Sequence, residues 1–157
     1  RLSGMIIFDN FIYLRMDDQL RRFSLEDPET PRLTDWVAEL FGDYITSDED
    51  LYLYYNWDRD ESISTYSFAE FGENGPNVIG SFENGFQFRD MVIDENLLLC
   101  LTYDSLYVYD ISDFDNINQV SVIATLPDEE NHYSRYIKVG GGVAYICGAY
   151  FLIAVDY

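Results

Sequence analysis

The sequence predicts an all-β fold made of repeated antiparallel units, and two observations carry this prediction. An apolar strand, a short polar turn and a second apolar strand recur four times, with the equivalent positions Ser24, Ser67, Asp110 and Asp156 spaced by 43, 43 and 46 residues. A repeat of roughly 20–50 residues that contains several strands is typical of β-propeller blades. The 14 Tyr and 11 Phe residues agree, because aromatic side chains favour the pleated, half-buried surface of a sheet.

Each predicted blade contains four strands separated by turns rich in Asp, Asn, Gly and Pro. These residues suit turns because they tolerate left-handed backbone or fix φ. The hairpin turns fall at equivalent places, at residues 9–10, 48–50, 94–96 and 140–142. The predicted strands are 5–8, 11–16, 19–25 and 32–37; 44–46, 51–56, 62–68 and 78–82; 89–93, 97–103, 105–111 and 119–124; and 135–139, 143–147 and 150–155.

The chain is predicted to be a single propeller segment whose blades occupy about residues 4–40, 41–84, 85–129 and 130–157. The last blade lacks its outer strand, and residues 1–3 are too short to supply it. We therefore expect about three and three-quarter blades, forming an arc of a larger propeller or a piece completed by another chain. Unpaired edges and apolar patches promote association, so the expected partners include further blades or a second copy.

Burial predictions follow from the repeat. Apolar residues 6–8 at one open end and 151–153 at the other are expected to face water. Aliphatic and aromatic positions that are equivalent in the four blades are expected to be buried in the core. These positions are Leu14, Leu53, Leu99 and Tyr145.

The chain is strongly acidic, with 29 Asp and Glu against 9 Lys and Arg, and a formal net charge of −20. This charge excludes nucleic acid as a partner, because nucleic-acid binding needs clustered Lys and Arg. Cations or a basic protein would be attracted; solubility and adaptation to high salt are alternative explanations. No apolar stretch reaches the roughly 20 residues that span a bilayer, so no direct membrane insertion is expected.

The two cysteines, Cys100 and Cys147, occupy positions one residue out of phase on equivalent strands. Successive side chains of a strand point to opposite faces, which argues against a disulfide. Two free, buried thiols are therefore predicted.

Clustered acids are the candidates for a metal site. Ca²⁺ prefers oxygen ligands that alternate along a loop, and the pairs Asp58 with Asp60 and Asp113 with Asp115 have this spacing. The alternative is that these acids are exposed turn residues. His132 is the only histidine, so multi-histidine metal sites are excluded and no catalytic residue is predicted.

Aromatic residues of the second and third blades have two interpretations. They stack on sugars or pack a partner, or they fill the blade cores. The residues concerned are Tyr52, Tyr54, Tyr55, Trp57, Tyr103, Tyr107 and Tyr109.

The segments SLEDPETPRL, DISDFDNINQV and LIAVDY, which begin at Ser24, Asp110 and Leu152, resemble the LVIVD-repeat β-propellers. Members of that family are mostly surface or secreted proteins of bacteria and archaea without an assigned reaction. The resemblance implies a non-enzymatic binding or scaffold module, extracellular or at the cell surface, with a protein or glycan partner. The alternative is a fragment of a propeller glycan hydrolase or lyase that uses paired carboxylates.

Overall fold

The computed structural model describes residues 2–8, 10–16, 19–39, 46–48, 51–58, 60–72, 75–85, 87–125, 134–148 and 151–157. In these ranges the protein has fifteen strands in four antiparallel sheets. The described residues include no helix that is long and apolar enough to cross a membrane. The predicted all-β fold of antiparallel blades is confirmed.

Each sheet is a meander in which neighbouring strands follow one another along the chain. The first three sheets have four strands and the last has three. The first sheet contains β1 (Leu2–Phe8), β2 (Phe11–Met16), β3 (Gln19–Ser24) and β4 (Arg32–Glu39); the second contains β5 (Thr46–Asp48), β6 (Leu51–Asp58), β7 (Ile63–Gly72) and β8 (Gly75–Asn84); the third contains β9 (Asp90–Asp94), β10 (Leu97–Leu101), β11 (Ser105–Asp110) and β12 (Asn118–Ala124); the fourth contains β13 (Ser134–Gly140), β14 (Val143–Gly148) and β15 (Leu152–Asp156).

The hairpins between the first and second strands of each sheet have two-residue connections. Three-residue turns were predicted in the last three blades, but Asp48, Asp94 and Gly140 each end a strand instead. In the fourth sheet Gly141 and Gly142 have φ of 63° and 77°. Positive φ at both positions is the backbone of a type I′ turn, whose twist matches that of the flanking strands. The shorter connection therefore fits the sheet better than the predicted one.

The register of the second sheet corrects the predicted repeat. Ser24 and Asp110 each pair with the residue that follows the first hairpin turn of their sheet. The residue at that position in the second sheet is Leu51, and it pairs with Glu70. Glu70, not Ser67, is therefore equivalent to Ser24 and Asp110. The difference arises because the β6–β7 hairpin, from Leu51 to Glu70, is longer than the equivalent hairpins 11–24 and 97–110.

The chain divides into two compact units, residues 1–85 and 86–157. In the first unit, the core of the second sheet is a row of aromatic rings across β6, β7 and β8. The centroids of Tyr55 and Tyr66 are 5.4 Å apart, and those of Tyr66 and Phe82 are 5.1 Å apart. Cross-strand aromatic pairs of this kind stabilise a sheet beyond the area that they bury.

In the second unit, the third and fourth sheets pack face to face through aliphatic side chains. A fully buried Leu or Ile contributes about 1.5–3 kcal/mol relative to an exposed one, so this interface stabilises the second unit. The buried cluster contains Leu99, Leu101, Leu106 and Val108 from the third sheet and Ile137, Ala144 and Ile146 from the fourth.

Two carboxylates of β9 add polar contacts between these sheets. Asp90 is 8% exposed, and its Oδ2 accepts the backbone N–H of Ile137 at 2.9 Å. The hydroxyl of Tyr157 donates to Asp94. Burial raises the pKa of Tyr157 to about 12, and the hydrogen bond to Asp94 and the negative charges of Asp94 and Glu95 act in the same direction.

The burial predictions hold in part. Leu53 and Leu99 are buried, but Leu14 is only half-buried and Tyr145 is 46% exposed. Burial was therefore wrongly predicted for Tyr145, which lies on the face of the fourth sheet opposite the buried cluster.

At the open ends, Ile7 and Leu152 are exposed as predicted, at 64% and 71%. Phe151 and Ile153 are instead half-buried, because they pack against the apolar cluster of the second unit. The side chains of residues 6 and 8 lie outside the described part.

Both cysteines are free, as predicted. Cys100 is buried, and burial raises the pKa of its thiol well above the ordinary value. Cys147 is only half-buried, so the prediction that both thiols are buried is wrong for this residue.

Candidate interaction surface

The predicted ligands Asp113 and Asp115 lie in the connection between β11 and β12, and both are exposed. Oδ1 of Asp113 accepts the backbone N–H of Asp115 at 3.1 Å. Just before them, Oδ1 of Asp110 accepts the N–H of Ser112 at 2.9 Å. Hydrogen bonds from the side chain and the backbone of Ser112 lower the pKa of Asp110. The carboxylates therefore shape the turn, since Asp side chains commonly bond to the backbone two residues ahead.

The first sheet repeats this turn between β3 and β4. Ser24 Oγ accepts the N–H of Glu26, and Asp27 Oδ1 accepts the N–H of Glu29, each at 3.2 Å. The Thr30 hydroxyl donates to Asp27 at 2.5 Å, and this bond is the largest cause of the lowered pKa of Asp27. The same hydrogen bonds at equivalent positions indicate a structural role for these acids.

A further backbone hydrogen bond links each of these turns to the first hairpin of its sheet. In the first sheet the N–H of Leu25 donates to the carbonyl of Asn10 at 2.7 Å. In the third sheet the N–H of Ile111 donates to the carbonyl of Asn96 at 2.8 Å. The two turns at that end of the blade are thus joined in the same way in both sheets.

The other predicted ligands belong to the second sheet. Asp58 ends β6, with its side chain outside the described part, and Asp60 is exposed in the following turn. Within the described ranges, no group of three His, Cys, Asp or Glu residues is placed to hold a metal ion. Calcium binding at either pair of aspartates therefore stays a prediction. The single histidine, His132, lies outside the described residues.

A cleft of about 240 Å³ lies at the turn between β3 and β4 and contains Glu26 and Asp27. A glycoside hydrolase needs one carboxyl group that stays protonated as the general acid, and its pKa must be raised. The pKa of Asp27 is lowered instead. Asp27 therefore lacks the property that the general acid of a carboxylate pair requires.

The predicted sugar-stacking residues differ in exposure: Tyr54 and Tyr107 are half-buried, and the side chains of Tyr52 and Trp57 lie outside the described part. Tyr55 and Tyr109 are buried. Tyr109 packs edge-on against Phe88, with ring centroids 6.1 Å apart. Tyr103 is exposed, and the guanidinium of Arg89 lies 4.1 Å from the centre of its ring.

The outer strand of the third sheet has one exposed edge. β12 pairs with β11 on one side and forms the edge of the sheet on the other. Val120 and Val122 on this strand are 57% and 48% exposed. A sheet edge with unpaired backbone groups is a template for another strand. We call β12 with these two valines the β12 edge.

The charged residues of the third sheet have one sign. Residues 90–125 contain seven Asp or Glu and no Lys or Arg. Asp110 pairs with Asn118, the first residue of β12, and the connection that leads into this strand carries Asp113 and Asp115. An extended cationic segment is therefore the complementary ligand.

The sequence predicted this strand but not its role. Its one available signal was the absence of Lys and Arg between Arg89 and Arg135. The exposure of Val120 and Val122 was not predictable, because a propeller strand with aliphatic residues is expected to pack in the core.

Comparisons with known proteins support the fold. No family model matches the chain, and no curated protein matches it in sequence. Hsv2 of Kluyveromyces lactis is similar over 99% of this chain and 48% of its own, with a TM-score of 0.68 and 11% identity. The AfRom2 CNH domain matches over 99% of this chain and 54% of its own (TM-score 0.65, 9% identity), and the N-terminal domain of Nup159 over 98% and 46% (TM-score 0.54, 9% identity). These structures are β-propeller domains, and this chain spans about half of their length.

Proposed function

We propose that the protein is a non-enzymatic binding module whose β12 edge holds an extended, basic segment of a partner protein. The observation that carries this proposal is an exposed apolar edge strand in a sheet region with seven acids and no basic residue. Strand addition supplies backbone hydrogen bonds, and alternate side chains of the added strand supply specificity. The acidic surroundings select a cationic sequence and speed its encounter.

Two further arguments support a protein partner over a glycan. Tyr55 and Tyr109, two of the predicted sugar-stacking residues, are buried against other rings. The β12 edge exposes two aliphatic side chains, which suit the alternate apolar residues of a peptide strand. We further propose that the module belongs to a surface or secreted protein of the LVIVD-repeat type. The resemblance of the turn segments supports this assignment, and fractionation of the producing cells tests it.

The binding experiment uses two fluorescent decapeptides, one alternating Lys with Val and the other alternating Glu with Val. Fluorescence anisotropy should show binding of the Lys–Val peptide only, and the affinity should fall as NaCl screens the charges. The double variant V120K/V122K places two positive charges on the edge. It should weaken binding at least about tenfold, which corresponds to about 1.4 kcal/mol.

The control is Val78→Lys. Val78 is an exposed valine on β8, the outer strand of the second sheet. This variant should bind the Lys–Val peptide as the wild type does. Equal binding of both peptides, or unchanged affinity in V120K/V122K, would overturn the proposal. Thermal unfolding followed by circular dichroism verifies that each variant is folded.

A further inference from the structure

The fourth sheet has two apolar faces, of which one is covered and the other exposed. Ile137, Ala144 and Ile146 on one face are buried against the third sheet. On the opposite face, Tyr136 and Leu152 are 63% and 71% exposed. An antiparallel sheet with one solvated face normally carries polar residues there, so an exposed apolar face of this kind marks an interaction surface. We call it the outer face of the fourth sheet.

The side chains of this outer face form cross-strand rows. Cys147 on β14 pairs with Leu152 on β15 and is also in register with Tyr136 on β13. The next row contains Lys138, Tyr145 and Ala154. Lys138 does not prevent burial of the row, because its apolar stem can pack while its ammonium group reaches the rim.

The third sheet shows what covers such a face. When the third and fourth sheets are aligned on their first hairpin turns, Tyr136 corresponds to the carboxylate Asp90, whereas two other exposed positions have apolar counterparts in the third sheet. Leu99 corresponds to Tyr145, and Leu106 corresponds to Leu152. Leu99 and Leu106 are both buried in the cluster against the fourth sheet. The fourth sheet therefore presents, unburied, the face that the third sheet packs against its neighbour.

The first sheet presents the complementary face. Aligned on the same hairpin turn, Met5 corresponds to Ile137 and Ile7 corresponds to Val139, and both counterparts pack against the third sheet. Yet Met5 and Ile7 are 61% and 64% exposed. Further apolar residues in register with them, all half-buried, are Ile12, Leu14 and Phe23.

We infer that the outer face of the fourth sheet packs against this face of the first sheet in a second copy of the chain. The chain carries both halves of a contact that its own third and fourth sheets already make. A head-to-tail contact of this type uses different surfaces on the two partners. It also differs from the β12 edge, so the two proposals stand or fall separately.

Two variants and their mixture test this inference by sedimentation velocity between about 1 and 100 µM. The wild type should associate, with a mass above the 18.3 kDa of one chain. Ile7→Glu damages only the first-sheet face and Leu152→Glu only the fourth-sheet face, and each variant alone should be monomeric. An equimolar mixture should form a dimer, because one variant keeps an intact first-sheet face and the other keeps an intact fourth-sheet face.

The matched control is Val120→Glu, which adds the same charge on the β12 edge and should associate as the wild type does. Ile7→Glu and Leu152→Glu leave the β12 edge intact and should bind the Lys–Val peptide as the wild type does if the proposed function holds, so failure of one proposal is distinguishable from failure of the other. A monomeric wild type would overturn the inference. So would persistent association of either face variant alone, which would indicate like-with-like pairing, or a mixture that stays monomeric although both variants are folded by circular dichroism.

Discussion

Asp90 is a buried carboxylate with both oxygens engaged. Its Oδ2 accepts the N–H of Ile137 in the fourth sheet at 2.9 Å, and its Oδ1 accepts the N–H of Met91 at 3.0 Å. Asp90→Ala leaves a buried N–H without its acceptor, and an unmade buried hydrogen bond costs about 1–3 kcal/mol. We expect the free energy of unfolding, measured by urea denaturation, to fall by about this amount.

Two comparisons separate this effect from a loss of charge. Asp90→Asn keeps one oxygen acceptor and should be destabilised less than Asp90→Ala. Asp115→Ala removes an exposed carboxylate and should stay within about 0.5 kcal/mol of the wild type. Equal stability of Asp90→Ala and Asp115→Ala would contradict the role assigned to Asp90.

Residue type alone did not identify Asp90. Its acceptor role depends on Ile137, which lies 47 positions away along the chain, and no local pattern indicates that contact. By contrast, the position of Asp113 and Asp115 in a turn was predictable, because turn chemistry acts over two or three residues.

The turn between β11 and β12 gives a prediction at the scale of the element. Asp113→Ala removes the acceptor for the N–H of Asp115, so we expect a loss of about 0.5–1.5 kcal/mol without any metal. Asp115→Ala should have little effect under the same conditions. Thermal unfolding in the presence of a chelator measures both.

Calcium adds a second arm to this experiment. Millimolar Ca²⁺ at constant ionic strength should raise the melting temperature of the wild type, because a ligand bound only by the folded state stabilises it. Both Asp113→Ala and Asp115→Ala should reduce that rise. An unchanged wild-type melting temperature would contradict calcium binding and would indicate that these acids only stabilise the turn.

The strands were largely predictable, because period-two patterns and turn residues act locally. The lengths of the turns were less predictable, because the twist of the paired strands selects two-residue connections. The equivalent position in the second sheet was predicted wrongly because the β6–β7 hairpin, residues 51–70, is longer than the equivalent hairpins 11–24 and 97–110. Burial at Tyr145 was mispredicted because burial depends on the neighbour of a sheet, which the sequence of one blade does not contain.

For the whole molecule, the net charge of −20 predicts a dependence of stability on salt. Like charges repel in the compact state, and this repulsion destabilises it. Because the Debye length shortens from about 30 Å at 0.01 M to about 8 Å at 0.15 M salt, the melting temperature should rise over this range. NaCl and KCl should act equally if screening is the cause. A melting temperature that is independent of salt would show that the acids are too widely spaced to repel one another strongly.

The hydrogen bonds from Leu25 to Asn10 and from Ile111 to Asn96 begin and end within a single blade. The side-chain bonds of both long turns are equally local. A blade with this property brings its own turn structure with it when its coding segment is duplicated. Gene duplication can therefore lengthen or shorten such a protein by whole blades, and the contacts between neighbouring blades, both the apolar faces and polar contacts such as that of Asp90 with Ile137, must then adapt to one another.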